Sequence, residues 1–234
     1  MSMRIYSTIV PCVITMLLLV PLWAQGKPQP ATFKAVFTAE YTMQFKVPDT
    51  KPGAAKGATT TQTITIPGDG NITWSEPNFR VDFTNGLNQE AMRLLVNFDS
   101  GKATMLYPDT LNGYRTDLKS MDTKGYLPVA RDFLSRRNED TTPTGFTKKA
   151  LGTEVINGAK AAHTQYYRKD GVQADIWRAA GGDPVKFSAK TAKGKLVLTF
   201  TSFQRGVQVD KSAFTVDKGY QIKDVKEPPS EFTQ

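Results

Sequence analysis

Phe33-Lys34-Ala35-Val36-Phe37-Thr38-Ala39-Glu40-Tyr41-Thr42-Met43-Gln44-Phe45-Lys46-Val47 is the stretch whose reading decides the fold. Every odd position is apolar, and the even positions carry Lys, Thr, Glu and Gln with Val36 as the one exception. A period of two puts the apolar set on one face of a single long strand, whereas helical spacing would scatter it all round. At ~3.3 Å per residue such a strand is roughly 50 Å long, so it must coil strongly with its neighbours. The fold expected around it is mainly β: a single curled antiparallel sheet forming an unclosed half-barrel, with one short helix on its concave side.

Upstream of this strand the chain has a different character. Arg4 precedes an apolar run from Ile9 to Leu22, and small residues around Ala24 and Gly26 offer cleavage sites. Residues 1–26 therefore read as a secretory signal peptide, and the run, broken by Pro11 and Pro21, is too short for a good membrane span. The expected organisation is a leader at 1–26, one β domain at 27–223 and a mobile tail at 224–234. Export through the inner membrane to the periplasm follows. The single cysteine, Cys12, lies inside the leader, so no disulfide or thiol chemistry remains after cleavage and stability must come from burial. Loss of Arg4 takes the formal charge from +8 to +7. That balance suits contact with anionic surfaces such as a membrane, but the lysines are scattered and no nucleic-acid motif accompanies them.

Downstream, Thr63 to Pro67 and Asn71 to Ser75 alternate on either side of Pro67-Gly68-Asp69-Gly70, which reads as a hairpin turn. Phe79, Val81 and Phe83 share one face of the next strand, and Met92, Leu94, Val96 and Phe98 one face of the strand after it. Strands then follow at Lys102 to Pro108 and Gly113 to Leu118. From Leu127 to Arg137 the period changes: Val129 with Phe133 and Ala130 with Leu134 lie four apart, predicting one short helix, followed by a polar loop to Lys149. The last third is a meander punctuated by Asn157-Gly158, Asp170-Gly171, Gly181-Gly182 and Lys193-Gly194.

The only histidine, His163, reads as an ordinary strand residue, since no Gly-x-Ser-x-Gly turn accompanies it. One histidine cannot assemble a common His/Cys metal site, phosphate loops are missing, and no cofactor is expected. Glu40, Asp82 and Glu154 lie on strands, but nothing in their spacing singles them out as a glycosidase pair, so they read as surface carboxylates. No enzyme activity is expected.

What stands out is the amount of one-sided apolar strand surface. Ten strands ~4.8 Å apart span on the order of 45 Å, while a helix of ten residues is ~15 Å long and ~10 Å wide. Either the sheet curls until its side chains fill the inside, or it leaves a groove partly capped by the helix. The candidate lining is Phe37, Tyr41, Met43, Phe45, Trp74, Phe79, Phe83 and Met92, an adaptable aromatic and methionine surface suited to lipid. Phe133 and Leu134, supported by Val129, are the candidate lid.

Several stretches carry a family resemblance. Gly70-Asn71-Ile72-Thr73-Trp74-Ser75-Glu76-Pro77-Asn78-Phe79-Arg80, the hairpin from Phe98-Asp99-Ser100-Gly101-Lys102 to Tyr107-Pro108, Gly152 to Gly158, Pro184-Val185-Lys186 and the closing Phe214 to Tyr220 occur in an order that resembles the periplasmic lipoprotein carrier (LolA/LolB-like) superfamily, in its lipoprotein-sorting-like branch. The likeness covers most of residues 33 to 222. It implies an unclosed barrel whose concave face holds acyl chains under a helical lid, in a non-enzymatic carrier. Two features depart from the pattern: the stretch before Phe33 is too short for the carriers' leading amphipathic helix, and Glu76 stands where they place a basic residue. The function expected is an exported monomeric carrier or chaperone of lipid or lipoprotein acyl chains. The alternative is a structural or sensory envelope module with a filled barrel that binds another protein.

Overall fold

The computed structural model describes residues 32–49, 55, 57–121, 130, 134, 142, 145–190 and 194–227. Among them twelve strands form one sheet: β1 (Thr32–Pro48), β2 (Thr59–Ser75), β3 (Asn78–Asn85), β4 (Ala91–Asn97), β5 (Lys102–Tyr107), β6 (Asn112–Asp117), β7 (Thr147–Ile156), β8 (Ala159–Tyr167), β9 (Gln173–Ala179), β10 (Pro184–Lys190), β11 (Gly194–Arg205) and β12 (Gln221–Asp224). Their spatial order is β12-β6-β5-β4-β3-β2-β1-β11-β10-β9-β8-β7, so the sheet is left open between β12 and β7. A short helix, α1 (Leu118–Met121), follows β6, and a 3-10 turn (Lys211–Phe214) precedes β12.

The long strand takes the middle of this order because it alone pairs on both sides with strands of comparable length. β1 and β2 form an unbroken antiparallel ladder from Thr32 opposite Ser75 to Pro48 opposite Thr59. On its other edge β1 meets β11 from Phe33 opposite Arg205 to Met43 opposite Gly194, with a bulge between Val36 and Phe37. It thereby joins two meanders, β2 to β6 and β7 to β11. The alternation read from the sequence appears as burial: Phe33, Ala35, Phe37 and Ala39 are buried while Lys34, Val36, Thr38 and Glu40 are exposed. Val36, the exception in the pattern, points outward and is 44% exposed.

The sequence places a turn at Pro67-Gly68-Asp69-Gly70, but β2 runs straight through it. Gly68 and Gly70 serve close approach instead. A Cβ on Gly68 would meet the Phe83 ring, and one on Gly70 would meet the backbone carbonyl of Asp82 and the Phe37 ring. Glycine within a strand often marks such a close approach. Pro67 lies one residue beyond the last β2–β3 pair, Gly68 opposite Asn85, where a proline removes no ladder bond on that side.

Two further expectations change. The stretch 147–149, read as loop, opens β7, an edge strand whose residues are all exposed up to Ile156 and so show no apolar alternation. The tail expected from residue 224 begins inside β12, which lies parallel to β6. Beyond it, Val225 N–H donates to the Arg115 carbonyl and Thr116 Oγ1 to the Lys226 carbonyl, so the chain is held through Lys226. Of the helix expected near residue 130, Ala130 and Leu134 are helical, while Val129 and Phe133 lie outside the described residues.

One hydrophobic cluster occupies the inner face of the sheet. It contains Phe33, Ala35, Phe37, Ile72, Trp74, Phe79, Val96, Ile176, Phe187 and Phe200 together with Leu118 and Leu134. At roughly 25 cal/mol per Å² of apolar surface, burial of each large side chain contributes on the order of 1.5–3 kcal/mol. The core therefore resides on one face, and the opposite face is left for polar networks.

Candidate functional site: the apolar inner face

The inner face is built from alternate residues of neighbouring strands. In register across the sheet, Phe33 pairs with Trp74, Trp74 with Phe79, and Phe79 with Val96. The Trp74 indole meets Phe79 edge-on at 6.3 Å and Phe98 edge-on at 5.8 Å, arrangements that aromatic quadrupoles favour. On the β11 side the Phe33 ring stacks on Phe203 at 4.9 Å, and Phe200 meets Phe203 edge-on at 5.7 Å. Leu118, Met121, Ala130, Leu134 and Phe146, all from the connection between β6 and β7 or its ends, pack against this surface.

Of the candidate lining residues, Phe37, Trp74 and Phe79 come together in the cluster, each at most 3% exposed. Phe83 packs against it partly buried. Tyr41, Met43 and Met92 are half-buried; Tyr41 and Met43 lie where the β1–β2 hairpin extends past the last β2–β3 pair, Gly68 opposite Asn85. The Phe45 side chain lies outside the described residues, as do Val129 and Phe133 of the candidate lid. Leu134, the described lid residue, is 0% exposed and belongs to the core. Phe98, Phe200 and Phe203 were not singled out by sequence reasoning. Phe98 carried a signal, since it continues the β4 alternation, but the β11 bulge that places Phe200 and Phe203 has no mark in the sequence.

On the outer face the carboxylates read as solvated surface are in fact organised. Asp82 accepts from Arg80 Nε at 2.6 Å and Arg93 Nε at 2.7 Å. Burial pushes its carboxyl up, but the hydrogen bonds and charges of the two guanidinium groups outweigh that and hold it below the usual carboxylate range. Arg80 Nη1 also donates to the Ala213 carbonyl and Arg93 Nη1 reaches Asp217, so this network fastens the segment before β12 onto β3 and β4. Glu40, by contrast, is simply exposed.

His163 lies on β8, a strand residue as expected, and it is the centre of a polar cluster. Its Nδ1 lies 2.7 Å from Glu154 and its Nε2 3.1 Å from Asp175, while the ring stacks on Trp177 at 4.1 Å. Asp175 also accepts from Gln165 and Gln173. Trp177 and then His163 hold the Glu154 carboxyl below its usual range, outweighing the opposing effect of burial. Both ring nitrogens are engaged by carboxylates, so neither is free to act as a base toward a substrate. Among the described residues no group of His, Cys, Asp and Glu could hold a metal ion, and no helix is long and apolar enough to cross a membrane.

No protein-family model matches the chain, and no curated protein matches it in sequence. Solved structures do match. The likeness is one of fold. An uncharacterized conserved protein from Thermus thermophilus aligns with a TM-score of 0.49 at 10% identity, over 83% of this chain and 90% of that one. The Mycobacterium tuberculosis lipoprotein LppX aligns with 0.39 at 17% identity, over 78% and 91%. An outer membrane lipoprotein-sorting protein domain from Vibrio parahaemolyticus aligns with 0.33 at 9% identity, over 78% and 88%. Against MucB, at a TM-score of 0.39 and 11% identity, 82% of this chain matches 59% of that protein's length. The mainly β fold expected from the sequence, a single open sheet with a short helix, is the fold observed, antiparallel throughout except for β12.

Proposed function

We propose that the inner face binds acyl chains, and that the protein is an exported, non-enzymatic carrier or chaperone for lipids or lipoproteins in the periplasm. The observation that carries this reading is how that face is closed. Among the described residues the aromatic surface of Phe33, Phe37, Trp74, Phe79, Phe98, Phe200 and Phe203 is packed by Leu118, Met121, Ala130, Leu134 and Phe146 of the β6–β7 connection and its ends, and not by a second sheet. A connection can lift from a sheet at far smaller cost than a second sheet can separate, and an aromatic surface so exposed accepts hydrocarbon chains. Tyr41, Met43, Phe83 and Met92 extend the lining toward the less covered end, and Phe45 is assigned to it by the alternation. Leu134 belongs to the proposed lid, and Val129 and Phe133 are assigned to it by the helical spacing of the sequence. The leader at residues 1–26 supports export, and the net positive charge suits transient contact with an anionic membrane surface.

A second reading is favoured by the near-complete burial of Phe33, Phe37, Trp74 and Phe79: an envelope module with a filled interior that binds another protein.

Titration of delipidated protein with a fluorescent fatty-acid methyl ester separates the two. The carrier reading expects saturable binding, and expects Phe133→Ala to change that binding more than it changes the denaturation midpoint. Absence of saturable binding to the parent protein leaves the filled module. Native mass spectrometry of protein taken from its own envelope gives the complementary readout, co-purifying acyl chains.

A further inference from the structure

Trp74 is buried to 3% exposure, yet its indole Nε1 has no hydrogen-bond acceptor among the described residues. The side chains placed around it by the sheet register and the ring contacts are Phe33, Phe79 and Phe98, with Val96 beyond. None of these offers an acceptor. A buried N–H left unpaired is unfavourable, and phenylalanine would fill an aromatic site without stranding a donor. In such surroundings a hydrogen bond to an incoming oxygen is stronger than in water.

Position says which part of a ligand the donor would meet. Trp74 is the second-last residue of β2, beside the turn into β3, and Phe98 N–H donates to the Pro77 carbonyl where the β4–β5 turn closes over that end. Trp74 thus stands near the rim of the inner face, with Ile72 and then Gly70, opposite Phe37, leading inward along the same strand. A ligand whose polar group lies at the rim would lay its hydrocarbon chain along Ile72 and Phe37. No charged side chain contacts the indole in the ring and register contacts above, so an ionised carboxylate there would lack a partner, and a neutral carbonyl fits better.

Resting on the acyl-binding reading, we infer that Trp74 is the polar fixed point of the inner site: its indole N–H donates to the neutral carbonyl oxygen of an acyl ester or acyl amide whose chain lies inward along the aromatic face. The site would then distinguish lipid-linked acyl groups from free hydrocarbon and from fatty-acid anions of the same length.

The test uses the full chain labelled with 15N on its tryptophan side chains. Its three indole resonances, from Trp23, Trp74 and Trp177, are assigned by single Trp→Phe substitutions. Methyl dodecanoate, N-methyl dodecanamide, tridecane and dodecanoate are titrated in turn, and the ester and amide arms separate the two sources of a neutral carbonyl. The expected result is a downfield shift of the Trp74 indole proton with the ester, the amide or both, and none with tridecane. Trp74→Phe should keep tridecane affinity within about twofold while weakening the carbonyl ligand about five- to tenfold. Ester, amide and tridecane binding with no difference in affinity and no indole shift would overturn the assignment of Trp74 and leave acyl binding intact. Binding of none of the four would overturn both. The shift is read on the parent protein, so it decides the matter even if Trp74→Phe fails to fold.

Discussion

Gly70 stands directly opposite Phe37 in the β1–β2 ladder, and the Phe37 ring lies 2.7 Å from the point a Gly70 Cβ would occupy. The backbone carbonyl of Asp82 on β3 crowds the same point, and a carbonyl in a ladder cannot step aside as a flexible side chain can. Gly70→Ala is therefore expected to destabilise the protein by about 1–3 kcal/mol through forced displacement of β3. Gly181, in the β9–β10 turn with no heavy atom within 4 Å of its added Cβ, provides the control. Gly181→Ala should stay within about 0.5 kcal/mol of the parent. Urea denaturation of the two variants checks this, and similar midpoints for both would contradict the close-approach role of Gly70.

The alternation of β1 makes a second, sharper contrast. Phe37 is 2% exposed and its neighbour Thr38 is exposed. Phe37→Asp removes a core ring and buries a carboxylate without a partner, which should cost on the order of 3–5 kcal/mol or abolish folding. Thr38→Asp should cost less than about 0.5 kcal/mol. Equal losses from the two faces, measured by thermal or chemical denaturation, would mean that the strand register is wrong.

Asp82 sets an acid limit. Its carboxyl is held below the ordinary value by Arg80 and Arg93 in spite of burial, so the stabilisation is fully present above about pH 4. It is lost as the pH falls through the lowered folded value, because the unfolded chain then binds a proton more readily than the folded one. Asp82→Asn should flatten the acid side of a stability-versus-pH curve. The same variant loosens the attachment of Ala213 and Asp217 through Arg80 and Arg93, so amides of residues 211–224 should exchange faster at neutral pH. An unchanged acid limb together with unchanged exchange would remove Asp82 from this role.

His163 makes a different prediction, centred on the open edge at β7. The His163 nitrogens lie 2.7 Å from Glu154 and 3.1 Å from Asp175, and the Glu154 contact ties the edge strand to β8 and the Trp177 face. His163→Phe preserves a ring over Trp177 but deletes both bonds, at a cost of about 1–2 kcal/mol. Because the Glu154 carboxyl is held below its ordinary value, its share of this stabilisation is present above that ordinary value and is lost as the pH falls through the lowered one. The variant should lack that acid component and show faster amide exchange in β7 at neutral pH. Retention of parent-like protection in β7 would show that backbone pairing with β8 alone holds the edge.

What was legible in the chain and what was not divide along the range of the interaction concerned. Period-two alternation is local: it records which face each residue of β1, β3 or β4 turns to the core, and Phe33, Phe37, Phe79 and Phe83 obey it in the structure. Turn dipeptides such as Asn157-Gly158 and Asp170-Gly171 are local too, and Asn157, Gly158 and Gly171 all adopt the positive φ that their types tolerate. The candidate lining was accordingly readable as far as the alternation extends, through Phe37, Trp74 and Phe79.

The sequence by itself therefore determined a one-sided strand at 33–47, a sheet too broad for one short helix to cover, and the identity of most inward residues. Only the tertiary structure decided that β2 passes straight through Pro67-Gly68-Asp69-Gly70, because the need for glycine there comes from Phe37, Phe83 and Asp82 on the two flanking strands. It alone decided that β12 returns to lie parallel to β6, and that His163 on β8 gathers Glu154 from β7 and Asp175 and Trp177 from β9. Local patterning is selected by whether a residue faces oil or water, and that is written at every position. Pairing of distant segments depends on which carbonyls, rings and charges the whole sheet brings together, and no single stretch of chain contains that information.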